Sequence, residues 1–226
     1  DVPLEGIEKQ IDAVMDDLPP HAVKTGMLSN PAVIELVAAK AKQYGIDRLV
    51  VDPVMIAKSG AELLQSDAKQ ALRTMLLPLA ALVTPNIPEA ETLTGRTIAT
   101  IEQMKDAARQ IVEEYGAKSA VVKGGHLAGE PTDVLYDGKE FHLLTARRFT
   151  TRHTHGTGCT FSAAIAAELA KGKLLRSAVE TAKQFITCAI EDELGIGQGH
   201  GPTNHWAYWR RTGNRADSRI FGGEVK

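Results

Sequence analysis

Residues His153-Thr154-His155-Gly156-Thr157-Gly158-Cys159-Thr160 bring together two imidazoles, a thiol, hydroxyls and two glycines just ahead of the apolar, alanine-rich run from Phe161 to Ala170. A glycine turn that opens a helix aims backbone N–H groups and the positive end of the helix dipole at one place. That place suits a phosphate, and Cys159 is held beside it. The spacing is neither G-x-x-x-x-G-K-[ST], since no lysine follows the second glycine, nor G-x-G-x-x-G. Taken alone, Gly156, Thr157 and Gly158 are equally a tight turn into a buried helix. His-x-His also puts two rings on one side of an extended strand, so a metallohydrolase built on His153, His155 and Cys159 is geometrically possible. A third ligand at convincing spacing is missing, and His126, His142, His200 and His205 read as surface or capping groups.

Four more segments carry chemical side chains, each just after a short apolar run: Thr25-Gly26-Met27, Asp52-Pro53-Val54-Met55, Thr84-Pro85-Asn86 with Glu89, and Lys123-Gly124-Gly125. In open α/β sheets ligands sit beyond the carboxyl ends of the strands, so these segments and the Gly156–Cys159 turn should meet in one crevice. Carboxylates, an amide, a lysine and an anion nest are what phosphoryl transfer needs. Asp52 and Glu89 suit Mg²⁺ through its waters, Asn86 the phosphates or metal waters, and Lys123 the nucleotide phosphates. Each has a plainer reading. Asp52-Pro53 can simply stop a strand, Asn86 with Glu89 can be a helix cap with its capping-box acid, Lys123 can be a loop charge, and Met27 and Met55 can fill core.

The elements that must position these residues alternate strand and helix, as in βαβ units of a mostly parallel sheet. Leu4, Ile7, Ile11, Val14, Met15 and Leu18 recur at helical spacing. His21–Thr25 predicts a strand, and Asn30-Pro31 opens a helix that runs to Tyr44 and stops at Gly45. Strands are predicted at Arg48–Val51, Leu79–Thr84 and Ser119–Lys123, with helices over about Asp67–Leu77 and from the Thr100/Gln103 capping box to Tyr115. Asp133–Tyr136 and Glu140–Leu144, joined by Asp137-Gly138, predict a hairpin. Helices at Thr157–Lys171 and about Leu174–Leu194 complete the pattern, with a basic stretch from Trp206 to Arg219 after it.

The 226 residues fit one α/β domain with 207–226 as a tail, and 43% hydrophobic residues supply a sizeable core. Twenty-six basic against 28 acidic residues favour a small-molecule ligand over nucleic acid or a membrane surface. Cys159 and Cys188 are the only cysteines and form no C-x-x-C pair, which fits a reducing, cytoplasmic setting. No apolar run approaches the roughly 18 residues of a membrane span.

The runs Ala22-Val23-Lys24-Thr25-Gly26-Met27-Leu28, Val51-Asp52-Pro53-Val54-Met55, Thr84-Pro85-Asn86-Ile87-Pro88-Glu89, Val122-Lys123-Gly124-Gly125-His126, Thr154–Thr160 and Gly199–Trp206 together resemble the bacterial hydroxymethylpyrimidine/phosphomethylpyrimidine kinases of thiamine biosynthesis. The resemblance implies a ribokinase-like three-layer sandwich, a homodimer, and transfer of the ATP γ-phosphoryl group first to hydroxymethylpyrimidine and then to its monophosphate. It implies that Asn86 and Glu89 form the N-x-x-E motif of the magnesium and phosphate site, that Asp52 is the acid near the metal, and that Lys123 contacts phosphate. Gly156, Thr157, Gly158 and Cys159 become the anion hole, and Met27 and Val54 line the pyrimidine pocket. Sugar kinases of the wider superfamily usually carry Asp where Cys159 stands. A thiolate at a helix N-terminus is a chemically reasonable proton acceptor, and a purely pocket-shaping cysteine is the alternative. Family members also begin with a strand bearing a Gly-Ser-Asp-Ser-Gly-Gly-Gly-type turn and a Gln-bearing segment, neither of which is in this chain. A polypeptide starting at Asp1 is therefore expected to show weak or absent activity and an exposed sheet edge. Pyridoxal or pyridoxine kinases of the same branch are the nearest alternative, and a non-enzymatic nucleotide-binding module the more remote one.

Overall fold

The computed structural model describes residues 2–55, 64 and 66–213. Six strands, β1 (Val23–Thr25), β2 (Leu49–Val51), β3 (Leu82–Val83), β4 (Ala120–Val122), β5 (Thr132–Tyr136) and β6 (Phe141–Thr145), form one sheet in the order β1-β2-β3-β4-β5-β6. The pairs from β1 to β4 are parallel, and β5 and β6 add as the expected antiparallel hairpin. β1 lies at one edge.

Alternation along the strands assigns each residue to a face. Leu49, Val51, Val83, Ala120 and Val122 pack with helices α2 (Pro31–Gln43), α3 (Ser66–Ala71), α4 (Ile87–Thr94) and α5 (Ile101–Glu113). Val50, Leu82, Val121 and Leu135 pack with α6 (Thr157–Ala170) and α7 (Leu175–Glu191). This is the three-layer α/β arrangement expected, with a mostly parallel central sheet flanked by helices.

Helix starts follow local rules. Asn30 Oδ1 accepts from Val33 N–H ahead of Pro31 at the first turn of α2, and Thr100 and Gln103 close the capping box of α5. The first helix, α1 (Leu4–Asp17), buries no residue fully; it is tied to α2 by Lys40, which meets Glu8 and Asp12 at 2.8 Å. The strand predicted over Leu79–Thr84 is shorter than expected. Leu72–Leu76 forms a π-helical segment and Leu77–Leu79 a 3₁₀ turn, leaving Leu82–Val83 extended. An apolar run that is buried in either form carries no periodicity to separate helix from strand. Ala207–Thr212, within the stretch read as a tail, forms helix α8 against α7; residues 214–226 lie outside the described residues. Among the described residues no helix is long and apolar enough to cross a membrane.

Candidate active site

The parity that sends Val50, Leu82 and Val121 toward α6 also governs the residues that follow them. Asp52, Thr84 and Lys123 are each two positions further along and therefore emerge on the α6 face, at the carboxyl ends of adjacent strands. They meet around one carboxylate. Asp52, with a side chain only 2% exposed, accepts from Thr84 Oγ1 at 3.1 Å and from Lys123 Nζ at 3.3 Å, both on Oδ1. Its Oδ2 accepts from Ser162 Oγ at 3.1 Å and faces Lys24 Nζ at 3.8 Å. A buried carboxylate is tolerated only with such compensation, and here each oxygen has a hydroxyl and an ammonium.

Ser162 belongs to the second turn of α6, so the carboxylate fixes the helix start against the strand ends. That start is unusual in its cap. Gly156 takes a left-handed conformation (φ 79°), and no side chain caps the first turn. Thr157 turns its hydroxyl back onto the Thr154 carbonyl at 2.8 Å. Lys123 Nζ stands 3.1 Å from where a β-carbon on Gly158 would sit, so a glycine there admits the ammonium to the helix start. Positive charge from Lys123 and from the helix dipole converges at Gly158, which is the electrostatics of an anion site. Cys159 follows and is exposed.

Asn86 and Glu89 realise the plainer reading of their spacing: Asn86 Oδ1 accepts from Glu89 N–H at 2.9 Å, and Glu89 Oε2 accepts from Asn86 N–H at 2.8 Å. The capping box does not exhaust Glu89, whose Oε1 has no partner among the described residues. Burial pushes its carboxyl above the usual range; Lys123 and the Asn86 N–H pull it down and Asp52 pushes it further up. Asn86 is bridged to Lys123 across the sheet, so the cap lies beside the lysine.

Met27 is 56% exposed just past the end of β1, whereas Met55 is fully buried and fills core. Val54, half-buried, follows Asp52 in a tight turn in which its N–H donates to the Asp52 carbonyl at 2.8 Å. The strand ends therefore bring Lys123, Asp52, Glu89, Asn86 and the Gly156–Cys159 turn together, with Met27 and Val54 beside them in sequence.

Three groups escaped the sequence reading. Lys24 lay inside a predicted strand; the available signal was a charge at the α6-facing position of an otherwise apolar run. Ser162 looked like an ordinary helix residue. Asp133 buttresses the lysine loop: its Oδ1 accepts from Gly124 N–H at 2.9 Å while Lys183 Nζ holds its Oδ2 at 2.7 Å. A β-carbon on Gly124 would lie 1.9 Å from the Thr132 carbonyl oxygen, so this glycine is required by close approach of β5.

The two histidines of the His-x-His pair go different ways. His153 is buried and its Nδ1 accepts from Gly201 N–H at 3.1 Å, pinning the segment Gly199–Pro202 against the turn, whereas His155 is exposed. Among the described residues no three His, Cys, Asp or Glu side chains gather as metal ligands.

Comparisons with known proteins converge on one family. Residues 1–204 match the model of phosphomethylpyrimidine kinase. The hydroxymethylpyrimidine/phosphomethylpyrimidine kinase of Bacillus subtilis (strain 168) is 50% identical over 213 residues, 93% of this chain and 78% of that protein. A thiamine biosynthesis bifunctional protein of Geobacter sulfurreducens is 49% identical over 205 residues, 90% of this chain and 42% of that protein. Among solved structures, an ADP complex of Bacillus subtilis pyridoxal kinase superposes with a TM-score of 0.85 at 41% identity, covering 91% of this chain and 78% of that one. With a family model matched across nine-tenths of its length and a relative half identical to it, this chain belongs to the phosphomethylpyrimidine kinase family.

Proposed function

We propose that this chain transfers the γ-phosphoryl group of ATP to hydroxymethylpyrimidine and then to the resulting monophosphate, as a kinase of thiamine biosynthesis. The observation that carries this reading is the Asp52 carboxylate, which ties Lys123 and Ser162 of α6 together and so sets an ammonium beside an uncapped helix start, with Lys24 facing its other oxygen. Family membership supports the same chemistry.

In the first transfer the acceptor hydroxyl oxygen attacks the γ-phosphorus, the bond from that phosphorus to the β-phosphate bridging oxygen breaks, and ADP leaves. Lys123 and the amides of Gly156, Gly158 and Cys159 face the charge that spreads over the transferring group, while the Thr157 N–H donates to the Thr154 carbonyl at 3.4 Å. Cys159 is the proton acceptor for the hydroxyl. Met27 and Val54 line the acceptor's ring.

Mg²⁺ fits the donor set: Glu89 keeps one carboxylate oxygen free next to Asp52, whose negative charge opposes its ionisation. Asp52 already accepts from three protein donors, so Glu89 would hold the ion's waters directly and Asp52 would act through the field of its charge; the ion would supply neutralisation of the nucleotide phosphates. A homodimer is the assembly proposed.

Pyridoxal kinase activity is the second reading, favoured by the structural likeness to a pyridoxal kinase. ADP release with hydroxymethylpyrimidine, its monophosphate, pyridoxal and ribose as separate acceptors tests both. Turnover of the two pyrimidines is expected, and turnover of pyridoxal alone would overturn the first reading. Replacing the thiol tests the proton acceptor: Cys159→Ala should lower the rate with hydroxymethylpyrimidine about 100-fold. Small losses in both Cys159→Ala and Cys159→Ser would leave positioning and electrostatics to carry the rate.

A further inference from the structure

The two transfers pose different problems to one site. An alcohol acceptor is uncharged and must lose a proton. A monophosphate acceptor carries about −1.5 to −2 charge at pH 7 and has little proton left to lose, but it must approach the equally negative γ-phosphate of ATP. The second transfer therefore asks for an extra cation on the acceptor's side and makes no use of a base.

Lys24 is placed for that task. It occupies the central position of β1, paired with Val50, so its side chain emerges on the α6 face with Asp52 and Lys123. The two lysines take opposite oxygens of Asp52 and look toward different parts of the site. Lys123 backs onto Gly158, in the turn that receives the transferring group. Lys24 backs onto Gly26, where a β-carbon would lie 3.0 Å from its Nζ, one residue before Met27 at the acceptor's ring.

At 3.8 Å from Asp52 Oδ2, Lys24 is beyond hydrogen-bond reach of the carboxylate, so its N–H donors are not committed there. Its side chain is 20% exposed, which shields the ammonium yet leaves it within reach of a ligand. Two ammonium groups, Lys24 and Lys123, share the single Asp52 carboxylate. The cluster thus carries a surplus of positive charge.

We propose that Lys24 binds the phosphate of the monophosphate acceptor and is the residue that admits the second transfer. The inference rests on the two-acceptor reading above. In that step an oxygen of the acceptor phosphate attacks the γ-phosphorus and a P–O–P bond forms. The bond between the γ-phosphorus and the bridging oxygen of ATP breaks, and ADP departs with the electron pair. No proton changes hands when the acceptor is the dianion. Lys123 and the Gly156–Cys159 turn serve both transfers, Cys159 the first and Lys24 the second.

The test is steady-state kinetics of wild type, Lys24→Gln and Lys24→Arg with each pyrimidine acceptor, alongside calorimetric binding of both acceptors. Losing a charge-assisted hydrogen bond to phosphate should shift the ratio of kcat/KM for monophosphate over alcohol by about 10- to 100-fold in Lys24→Gln. Lys24→Arg should restore most of it, and wild type should bind the monophosphate more tightly than the alcohol. Equal losses with both acceptors, or equal affinities in wild type, would overturn the proposal, since a lysine that merely props Asp52 damages both steps alike. If Lys24→Gln does not fold, the binding arm decides: wild type must hold the monophosphate more tightly than the alcohol by a margin that shrinks as salt is raised, and equal affinities or a salt-independent margin overturn the proposal. The two readings fail separately. A wild type that phosphorylates neither acceptor but binds the monophosphate through Lys24 overturns the functional reading and leaves the phosphate site standing.

Discussion

Helices α4 and α6 both begin at the same edge of the sheet, next to Lys123, and they begin in opposite ways. The start of α4 closes on itself: Asn86 and Glu89 exchange two hydrogen bonds, and the first turn has little left to offer a ligand's phosphate. The start of α6 has a left-handed glycine where the capping side chain would be. Apart from the Thr157 N–H, which donates to the Thr154 carbonyl at 3.4 Å, its first-turn amides and dipole remain directed outward, with an ammonium brought in over Gly158. One start is built for stability and keeps a single carboxylate oxygen in reserve. The other gives up a capping bond and becomes an anion site. A short polar side chain at the cap position suffices to make the difference.

Three substitutions would break or sharpen this contrast. The largest effect is expected from Gly158→Ala. Its backbone is compatible with alanine, but the new methyl lies where the Lys123 ammonium now comes within 3.1 Å of it, so the flexible lysine must withdraw. Phosphoryl transfer should fall about 10²- to 10³-fold while stability holds or rises slightly. Unchanged kcat with the same Tm would show that the open start of α6 is only a turn.

Glu89→Gln comes next, with an expected loss of about 10- to 100-fold in activity if the reserved oxygen orients metal waters. Its stability effect has the opposite sign. Burial raises the folded-state pKa of Glu89 above its unfolded value, so its contribution to stability is fully present below the ordinary carboxylate pKa and is lost as pH rises through the raised value. Ionised Glu89 therefore costs stability at neutral pH, and glutamine keeps the oxygen that accepts from Asn86 N–H. Thermal melts should place Glu89→Gln above wild type at pH 7, with the gap closing toward pH 4. A gap that widens on acidification would refute the electrostatic account.

The smallest effect belongs to Asn86→Ala, which removes the acceptor for Glu89 N–H and should cost about 1 kcal/mol in denaturant unfolding. The same experiment on α6 has no counterpart, since no capping side chain stands there to remove.

Much of this was legible in the chain itself. Helix starts at Asn30 and Thr100, the hairpin turn at Asp137-Gly138 and the glycine turn at Gly156 all depend on residues within four positions of one another. The segments ending β1 to β4 were readable because a polar cluster after a short apolar run is a local signal. The start of β3 was not, because in the run from Leu76 to Val83 the buried Leu76, Leu77, Ala80, Leu82 and Val83 look alike in helix and strand, and the chain stays helical through Leu79. Lys24 and Ser162 were missed for a different reason: each is unremarkable beside its own neighbours and acquires a role only through Asp52, 28 residues from one and 110 from the other.

Sequence by itself determined which chemical groups stand at the strand ends and, through the two-residue period of a strand, that Lys24, Asp52, Thr84 and Lys123 can share a face. It also determined that α6 would start without a capping side chain. Tertiary structure decided that a single buried carboxylate would separate two lysines, one toward the helix start and one toward Gly26. That outcome depends on which strands become neighbours and how α6 is rotated against them. Both are settled by burying Val50, Leu82, Val121, Phe161 and Ile165 together, a long-range packing condition that no local spacing encodes.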